Sequence, residues 1–473
     1  PRRGAEEAGD VRERTLWDRG VETMSRPDLE VLQDRLLRNT LKRVWDGSPY
    51  YRRKFQEAGV DPRDVRGRAD LPRLPVTTKR ELAEEQRRAP PYGEVPSAGP
   101  AEHATVVGTT GTTGTPLFVP LTASDTCEYC TPDSETWLRT LHSMGYNPGR
   151  DILQSAWNYG FWYFSASCMA FGRGDARPPH VITSIGRTRW QLELMRELGI
   201  TTFFATQSYV LYVGEKAREL GIDPSTDLSV DKVVGGGEPG MLAVEGFRER
   251  LSRAWGPGVD TFESAGASET GYMGQECWAH RGLHVPEDYL LVEVLDPGTG
   301  EPAGPGERGE MCVTHLRREG MPLVRYCIGD VTSYEDDVCS CGRTHMRLQG
   351  IVGRTDDMIK VKGLKFWPSQ VEAVVRCTEG CTGEFLIEVD KDAGEVLDTF
   401  CVKVEVGRGR HEDLAGCLER DIRALVGVRP DVEVVAPGEL TRSPHKAVRL
   451  LDRRREGAEE KHERKLAYAR RLD

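Results

Sequence analysis

Between residues 150 and 300, short apolar runs of strand character alternate with stretches of helical spacing, and this alternation limits the possible folds more than any other feature of the chain. The strand-like runs are 151–156, 201–205, 232–234 and 260–262; the helical stretches are 190–198 and 241–255, with a proline turn at Pro224. Strands joined through helices cannot pair as hairpins. Each connection crosses over the sheet, so the expectation is an α/β fold with a parallel sheet covered by helices. Segments 289–295 and 309–314 read as later, more antiparallel strands. From Gly353 onward the composition becomes charged, with 371–375 and 414–425 helical and 383–389 and 399–406 strand-like. That order fits a small α+β domain of about 120 residues.

At 473 residues the chain is long enough to bury a large core. Its net charge of −11, with basic and acidic residues interleaved, gives no nucleic-acid footprint. No run approaches the roughly 18 apolar residues that span a bilayer, and the opening Pro1-Arg2-Arg3-Gly4 has no apolar signal core, so a cytoplasmic protein without membrane partners is expected. The twelve cysteines are scattered, which favours reduced thiols or a metal site over a disulfide framework. Residues 1–14 are charged and read as a disordered start, 29–45 as an amphipathic helix, and Thr78 as the cap of a helix whose third residue is Glu81.

The segment Thr109-Thr110-Gly111-Thr112-Thr113-Gly114-Thr115-Pro116 combines glycines, which let a backbone approach an anion closely, with hydroxyl and N–H donors. By composition alone it is either a surface loop or a phosphate cradle, and it lacks the spacing and lysine of a Walker loop. It resembles the nucleotide loop of the adenylate-forming enzymes, with Thr115 where those enzymes usually carry lysine. Ser48-Pro49-Tyr50-Tyr51 and Leu74-Pro75-Val76-Thr77-Thr78-Lys79 look like the opening of the phenylacetate-coenzyme A ligase family, and the resemblance continues nearly to the end of the chain.

That resemblance implies a large adenylating domain over 15–353 with mixed sheets and helices, and a small mobile α+β domain over 354–473. Lys232-Val233-Val234-Gly235-Gly236-Gly237-Glu238-Pro239 matches the strand and glycine turn beside adenine and the acyl pocket. In Glu263-Ser264-Ala265-Gly266-Ala267-Ser268-Glu269, Glu269 falls on the Mg²⁺-holding carboxylate and Ala265 on the place of an adenine-stacking tyrosine. Asp330, in Arg325-Tyr326-Cys327-Ile328-Gly329-Asp330, falls on the ribose ligand. In Gly353-Arg354-Thr355-Asp356, Arg354 reaches ribose or phosphate and Asp356 is the hinge of a domain rotation. Lys446, beside His445 in Thr441-Arg442-Ser443-Pro444, falls on the catalytic lysine, and residues 360–363 on the wall of the pantetheine tunnel.

The aromatic cluster at 156–163 supplies Trp157, Tyr159, Phe161 and Trp162 as candidate walls of an aryl-acid pocket, with core packing as the competing reading. Ser264 stands where phenylacetate-using members are usually aliphatic, which suggests a hydroxyl or amino substituent on the acid. Cys339-Ser340-Cys341 cannot close a tetrahedral site alone; Cys277 and His284, at matching points after Glu269, would complete a Cys₃His set suited to structural Zn²⁺, as in zinc-bearing relatives. His280 and Cys327 compete as ligands.

The function implied is an ATP- and Mg²⁺-dependent ligase that activates an aromatic acid as its acyl-adenylate and transfers the acyl group to coenzyme A. The alternatives are transfer of a hydroxy- or amino-substituted aryl acid to an amine, hydroxyl or carrier-protein thiol, and a non-catalytic zinc-bearing binding protein. The oligomeric state stays open, a homodimer included.

Overall fold

The structure, a computed structural model, describes residues 15–109, 116–125, 135–157, 179–355, 358–361, 364–390, 398–407, 413–440, 449–454, 459 and 462–463. The expected disordered start at 1–14, loop residues Thr110, Gly111, Thr112, Thr113, Gly114 and Thr115, pocket candidates Tyr159, Phe161 and Trp162, and Asp356, His445 and Lys446 lie outside them.

The chain divides into two compact units, Pro1–Leu242 with Leu251–Ile351, and Ala243–Arg250 with Val352–Asp473. Against the expected division at 353/354, the short Ala243–Arg250 stretch goes with the smaller unit. There the Arg376 guanidinium lies 5.3 Å over the Phe247 ring, and the Cys377 thiol donates to the Glu245 carbonyl at 3.0 Å.

In the larger unit the described residues build a nine-stranded sheet in the order Tyr334–Glu335, Arg347–Leu348, Leu283–His284, Gly271–Glu276, Asp260–Ala267, Lys232–Gly236, Thr202–Thr206, Leu153–Ala156, His180–Thr183. The strands from His180–Thr183 through Asp260–Ala267 are parallel, and between them helices Thr188–Leu198 and Gln207–Glu219 bury Leu192, Met195, Val210, Val213 and Ala217. The expected parallel sheet is thus half of a mixed one. Residues 268–270 form a turn too short for a crossover, so Gly271–Glu276 must return antiparallel to Asp260–Ala267. The expected helix at 241–255 begins only at Phe247, because Gly246 holds φ at 75°, outside the helical region.

A second sheet in this unit pairs Leu290–Leu295, Gly309–His315 and Tyr326–Thr332 antiparallel, with Thr77–Thr78 parallel to the last. Helix Lys79–Arg88 leaves that edge. Thr78 caps it reciprocally with Glu81, whose carboxylate accepts from the Thr78 backbone N–H at 2.7 Å. Strands His103–Gly108 and Phe118–Thr122 form a separate hairpin.

The smaller unit is the expected α+β arrangement: strands Asp431–Val435, Thr399–Val406, Cys381–Asp390 and Leu450–Asp452 in that order, packed with helices Pro368–Cys377 and Leu414–Val426 through Val371, Val375, Leu418 and Ile422. The charged motif after Gly353 places Ile359–Val361 against Leu364–Phe366 as an antiparallel pair.

Helix Glu135–Ser143 is tied to the larger unit by a buried ion pair, Arg139 Nη1 to Asp288 Oδ1 at 2.7 Å. Burial raises the Asp288 pKa, but the guanidinium charge and hydrogen bonds from Arg139 more than offset this and leave it lowered. Asp288→Ala strands a buried cation and should cost about 3–5 kcal/mol in urea unfolding. In the wild type this contribution is full above the ordinary value of 3.8 and is lost as pH falls through the lower folded pKa. The variant should therefore lose stability less steeply in acid.

Candidate functional site

Three segments distant in sequence meet at Glu269. The carboxylate lies in the turn between Asp260–Ala267 and Gly271–Glu276 and is almost fully buried. Lys79 Nζ donates to its Oε1 at 2.7 Å, and the Tyr326 hydroxyl donates to the same oxygen at 3.1 Å. The parallel register Thr77↔Tyr326 and Thr78↔Cys327 produces this meeting, since it sets the first residue of the capped helix beside the strand that carries Tyr326. Burial pushes the Glu269 carboxyl up, but the Lys79 charge, its hydrogen bond and that of Tyr326 outweigh it, so the net pKa is lowered and the group is an anion at neutral pH.

The turn itself is clamped from behind. Arg318, fully buried, donates to the Glu269 carbonyl. His315 Nδ1 accepts from the Leu323 N–H at 3.0 Å, which leaves the proton on Nε2 to be donated to the Thr270 carbonyl at 3.1 Å. Burial, followed by the nearby Arg318 charge, holds His315 well below the ordinary imidazole range, so this neutral tautomer persists.

A second group gathers at the carboxyl ends of the parallel strands, where ligands of α/β sheets lodge. Gly237 holds φ at 75°, and a Cβ there would stand 3.9 Å from Trp157 Cζ3, so the indole lies against the turn. A Cβ on Gly236 would meet Ser264 Oγ at 2.8 Å, and one on Gly235 would meet Gln207 Oε1 at 2.1 Å. Close approach of the Ser264 backbone and side chain therefore requires glycine at 236, the Gln207 amide crowds position 235, and positive φ favours glycine at 237. Glu238 Oε2 accepts from the Ser208 N–H at 2.9 Å, which fixes the turn on the start of helix Gln207–Glu219, while Pro239 follows it. Ser264 and Ala265 sit inside strand Asp260–Ala267, because the chain pairs with Gly271–Glu276 as far as Ala267. The Trp157 side chain is buried in the core.

Thr109 pairs with Leu117: its N–H donates to the Leu117 carbonyl at 3.0 Å and its Oγ1 accepts from the Leu117 N–H at 3.0 Å. Asp330 lies partly exposed on strand Tyr326–Thr332. In the smaller unit Arg354 accepts from Trp367 Nε1 through its carbonyl at 2.9 Å.

The four expected metal ligands converge. Cys277, His284, Cys339 and Cys341 are all buried, and their ligand atoms lie within 4.8 Å of one another. Cys277 Sγ is 3.8 Å from Cys339 Sγ, and Cys341 Sγ is 3.5 Å from His284 Nε2. Tetrahedral bonds of about 2.3 Å to sulfur and 2.0–2.1 Å to nitrogen require about 3.8 and 3.5 Å between such ligands, so the set fits Zn²⁺. Thiol hydrogen bonds from Cys277 and Cys341 hold Cys339 well below the ordinary thiol range, while burial pushes His284 down to about 4. The two competitors lie elsewhere: His280 faces Asp260 at 3.1 Å, and Cys327 faces Cys312.

Lys79 and the clamp residues Arg318 and His315 carried no assigned role in the sequence. One signal existed. A lysine at the first position of a capped helix opposes the helix dipole, which asks for a compensating anion nearby. Gln207 gave none; it is fully buried, with neither amide atom partnered among the described residues.

The family model for AMP-binding enzymes matches residues 52–316, and that for the AMP-binding enzyme C-terminal domain matches 363–454. The chain is 35% identical to a phenylacetate-coenzyme A ligase of Thermus thermophilus over 93% of its own length and 100% of the relative's. It is 32% identical to the phenylacetate-coenzyme A ligase of Escherichia coli, over 92% of this chain and 97% of that one. Among solved structures, a 2-hydroxyisobutyryl-CoA ligase in the postadenylation state with 2-HIB-AMP superposes with a TM-score of 0.83 at 26% identity, covering 100% of this chain and 96% of that one.

His315→Gln breaks the relay between Leu323 and Thr270 and should cost about 2–4 kcal/mol in urea unfolding, from two buried groups left without partners. Because the folded-state pKa is lowered, the wild type loses stability as pH falls below the unfolded value of 6.5. The variant should show a shallower loss over the same range.

Proposed function

The chain belongs to the AMP-binding enzyme family and is an adenylate-forming ligase that uses ATP and coenzyme A, and we propose that its acid is aromatic and that Lys446 is the catalytic lysine. The observation that carries the site assignment is the anionic, buried Glu269. Its Oε1 takes both donors, Lys79 and Tyr326, and the carboxylate would hold a hard cation through its second oxygen. When bound there, Mg²⁺ would neutralise charge on the ATP phosphates. The residues Thr109, Thr110, Gly111, Thr112, Thr113 and Gly114 would donate to those phosphates. Lys79 would add the cation that Thr115 does not supply.

In the first half-reaction the acid's carboxylate attacks the α-phosphorus and pyrophosphate departs. Lys446 would stabilise the charge shared by attacking and bridging oxygens. Gly237, Glu238, Pro239 and Ala265 would flank adenine, and Asp330 would accept from the ribose hydroxyls, joined by Arg354. In the second half-reaction the coenzyme A thiolate attacks the acyl carbon and AMP leaves; residues 360–363 would line its tunnel and Asp356 would be the hinge between the two steps.

The acyl group would rest on Trp157 and the flat Gly235–Gly236 floor, with Tyr159, Phe161 and Trp162 as further walls. Ser264 favours an acid carrying a hydroxyl or amino group. Zn²⁺ in the Cys277, His284, Cys339, Cys341 cluster would be structural, since the four ligands close the coordination shell. Among the described residues no helix is long and apolar enough to cross a membrane. We place the protein in the cytoplasm.

Pyrophosphate release should require ATP, Mg²⁺ and one member of an aryl-acid panel, and an acyl-CoA should accumulate when coenzyme A is added. Lys446→Ala, Glu269→Gln and Lys79→Ala should each lower release, by about 10²–10³ for a group acting on the developing charge. Ser264→Ala should lower kcat/KM for the hydroxylated or aminated acid about tenfold and spare the unsubstituted one. Release without any CoA ester would move the acceptor to an amine, hydroxyl or carrier-protein thiol. Elemental analysis should find one zinc per chain, lost in Cys339→Ser together with about 3 kcal/mol or more of stability.

A further inference from the structure

Two cysteines stand apart from both the metal cluster and the catalytic groups. Cys312 and Cys327 are register partners on the antiparallel strands Gly309–His315 and Tyr326–Thr332, and their Sγ atoms lie 2.9 Å apart. Directly opposed residues of an antiparallel pair have Cα atoms about 4.5–5.5 Å apart, inside the window of about 4.4–6.8 Å that a disulfide tolerates. A bond of about 2.05 Å therefore asks for under about 1 Å of further approach and no change of register.

The surroundings divide the labour between the two sulfurs. Cys312 is fully buried, and burial pushes its thiol well above the ordinary range, so it stays protonated. Cys327 is partly exposed and meets an oxidant first. The pair lies in a row across the sheet that runs Glu293, Cys312, Cys327, Thr78. Thr78 caps the helix that begins with Lys79, and Tyr326, next to Cys327, donates to Glu269. Both supports of the buried carboxylate are therefore one residue from the row.

We propose that Cys312 and Cys327 form an oxidisable dithiol that a peroxide closes to a disulfide, and that closure slows the ligase by drawing the strand of Tyr326 toward its neighbour. The Cys327 sulfur attacks one peroxide oxygen: the S–O bond forms, the O–O bond breaks, and the leaving hydroxide takes the thiol proton to become water. The Cys312 sulfur then attacks the resulting sulfenic acid: the S–S bond forms, the S–O bond breaks, and a second water leaves with the Cys312 proton. Two electrons and two protons pass from the dithiol to the peroxide. A dithiol reductant restores both thiols by exchange.

The test uses the reduced full-length chain, treated with one equivalent of hydrogen peroxide, alkylated, digested and mapped without reduction, with pyrophosphate release assayed in parallel. A Cys312–Cys327 cross-link should dominate over links from the other cysteines. Release should fall several-fold and recover with dithiothreitol. Cys327→Ser and Cys312→Ala should keep basal release and resist the peroxide. Melting curves of both variants are compared first; should Cys312→Ala unfold, the exposed-side variant Cys327→Ser carries the control alone. Absence of the cross-link, a cross-link with release unchanged, or an equal loss of release in Cys327→Ser would each overturn the proposal. The mapping reads no catalysis, so its failure is distinguishable from failure of the substrate assignment.

Discussion

An anion buried as deeply as Glu269 is unfavourable unless its surroundings supply positive charge and donors, and much of the larger unit is arranged around that requirement. Lys79 arrives on a capped helix, Tyr326 on a strand, and Arg318 and His315 hold the backbone of the turn. Each support comes from a different element. The two-residue parallel pairing of Thr77–Thr78 with Tyr326 and Cys327 is consequently more than a sheet edge: it sets where the lysine stands relative to the carboxylate. A shift of that register by one residue would carry Lys79 away from the carboxylate, while Tyr326 stays in place through its own pairing with Val313.

The Cys₃His cluster joins segments far apart in sequence, 277–284 and 339–341. Cys339 and Cys341 lie on a short turn with Gly342 at φ 92°, between the brief strands Tyr334–Glu335 and Arg347–Leu348. Arg343 beside them bonds Glu22 at 2.7 Å and reaches the Cys341 sulfur at 3.6 Å, so the turn is tied both to the start of the described chain and to the cluster. Strands of two residues gain little from their own ladders, and these are held also by the burial of Leu283 and Leu348 in the main core.

Features governed by neighbours within a few residues were legible in the sequence. The Thr78–Glu81 cap, the helices Arg26–Gly47 and Leu414–Val426, and the crossover strands all follow from local periodicity and turn chemistry. Where local reading failed, a single residue or a short turn was responsible: Gly246 delays a helix, and the turn at 268–270 sends the chain back as Gly271–Glu276, a strand that the alternation did not include. The four expected metal ligands, placed through the family resemblance, do converge.

Side-chain types and their order along the chain thus determined the α/β class, the two-part organisation and the family of chemistry. Tertiary structure alone decided which of those side chains share a space. Lys79 and Glu269 are separated by 190 residues, and Cys312 met Cys327 rather than the cluster, because sheet register and not local preference sets contacts across such distances. Propensity acts over one or two turns of backbone; the meeting of a lysine, a tyrosine and a buried carboxylate depends on the whole core being in place.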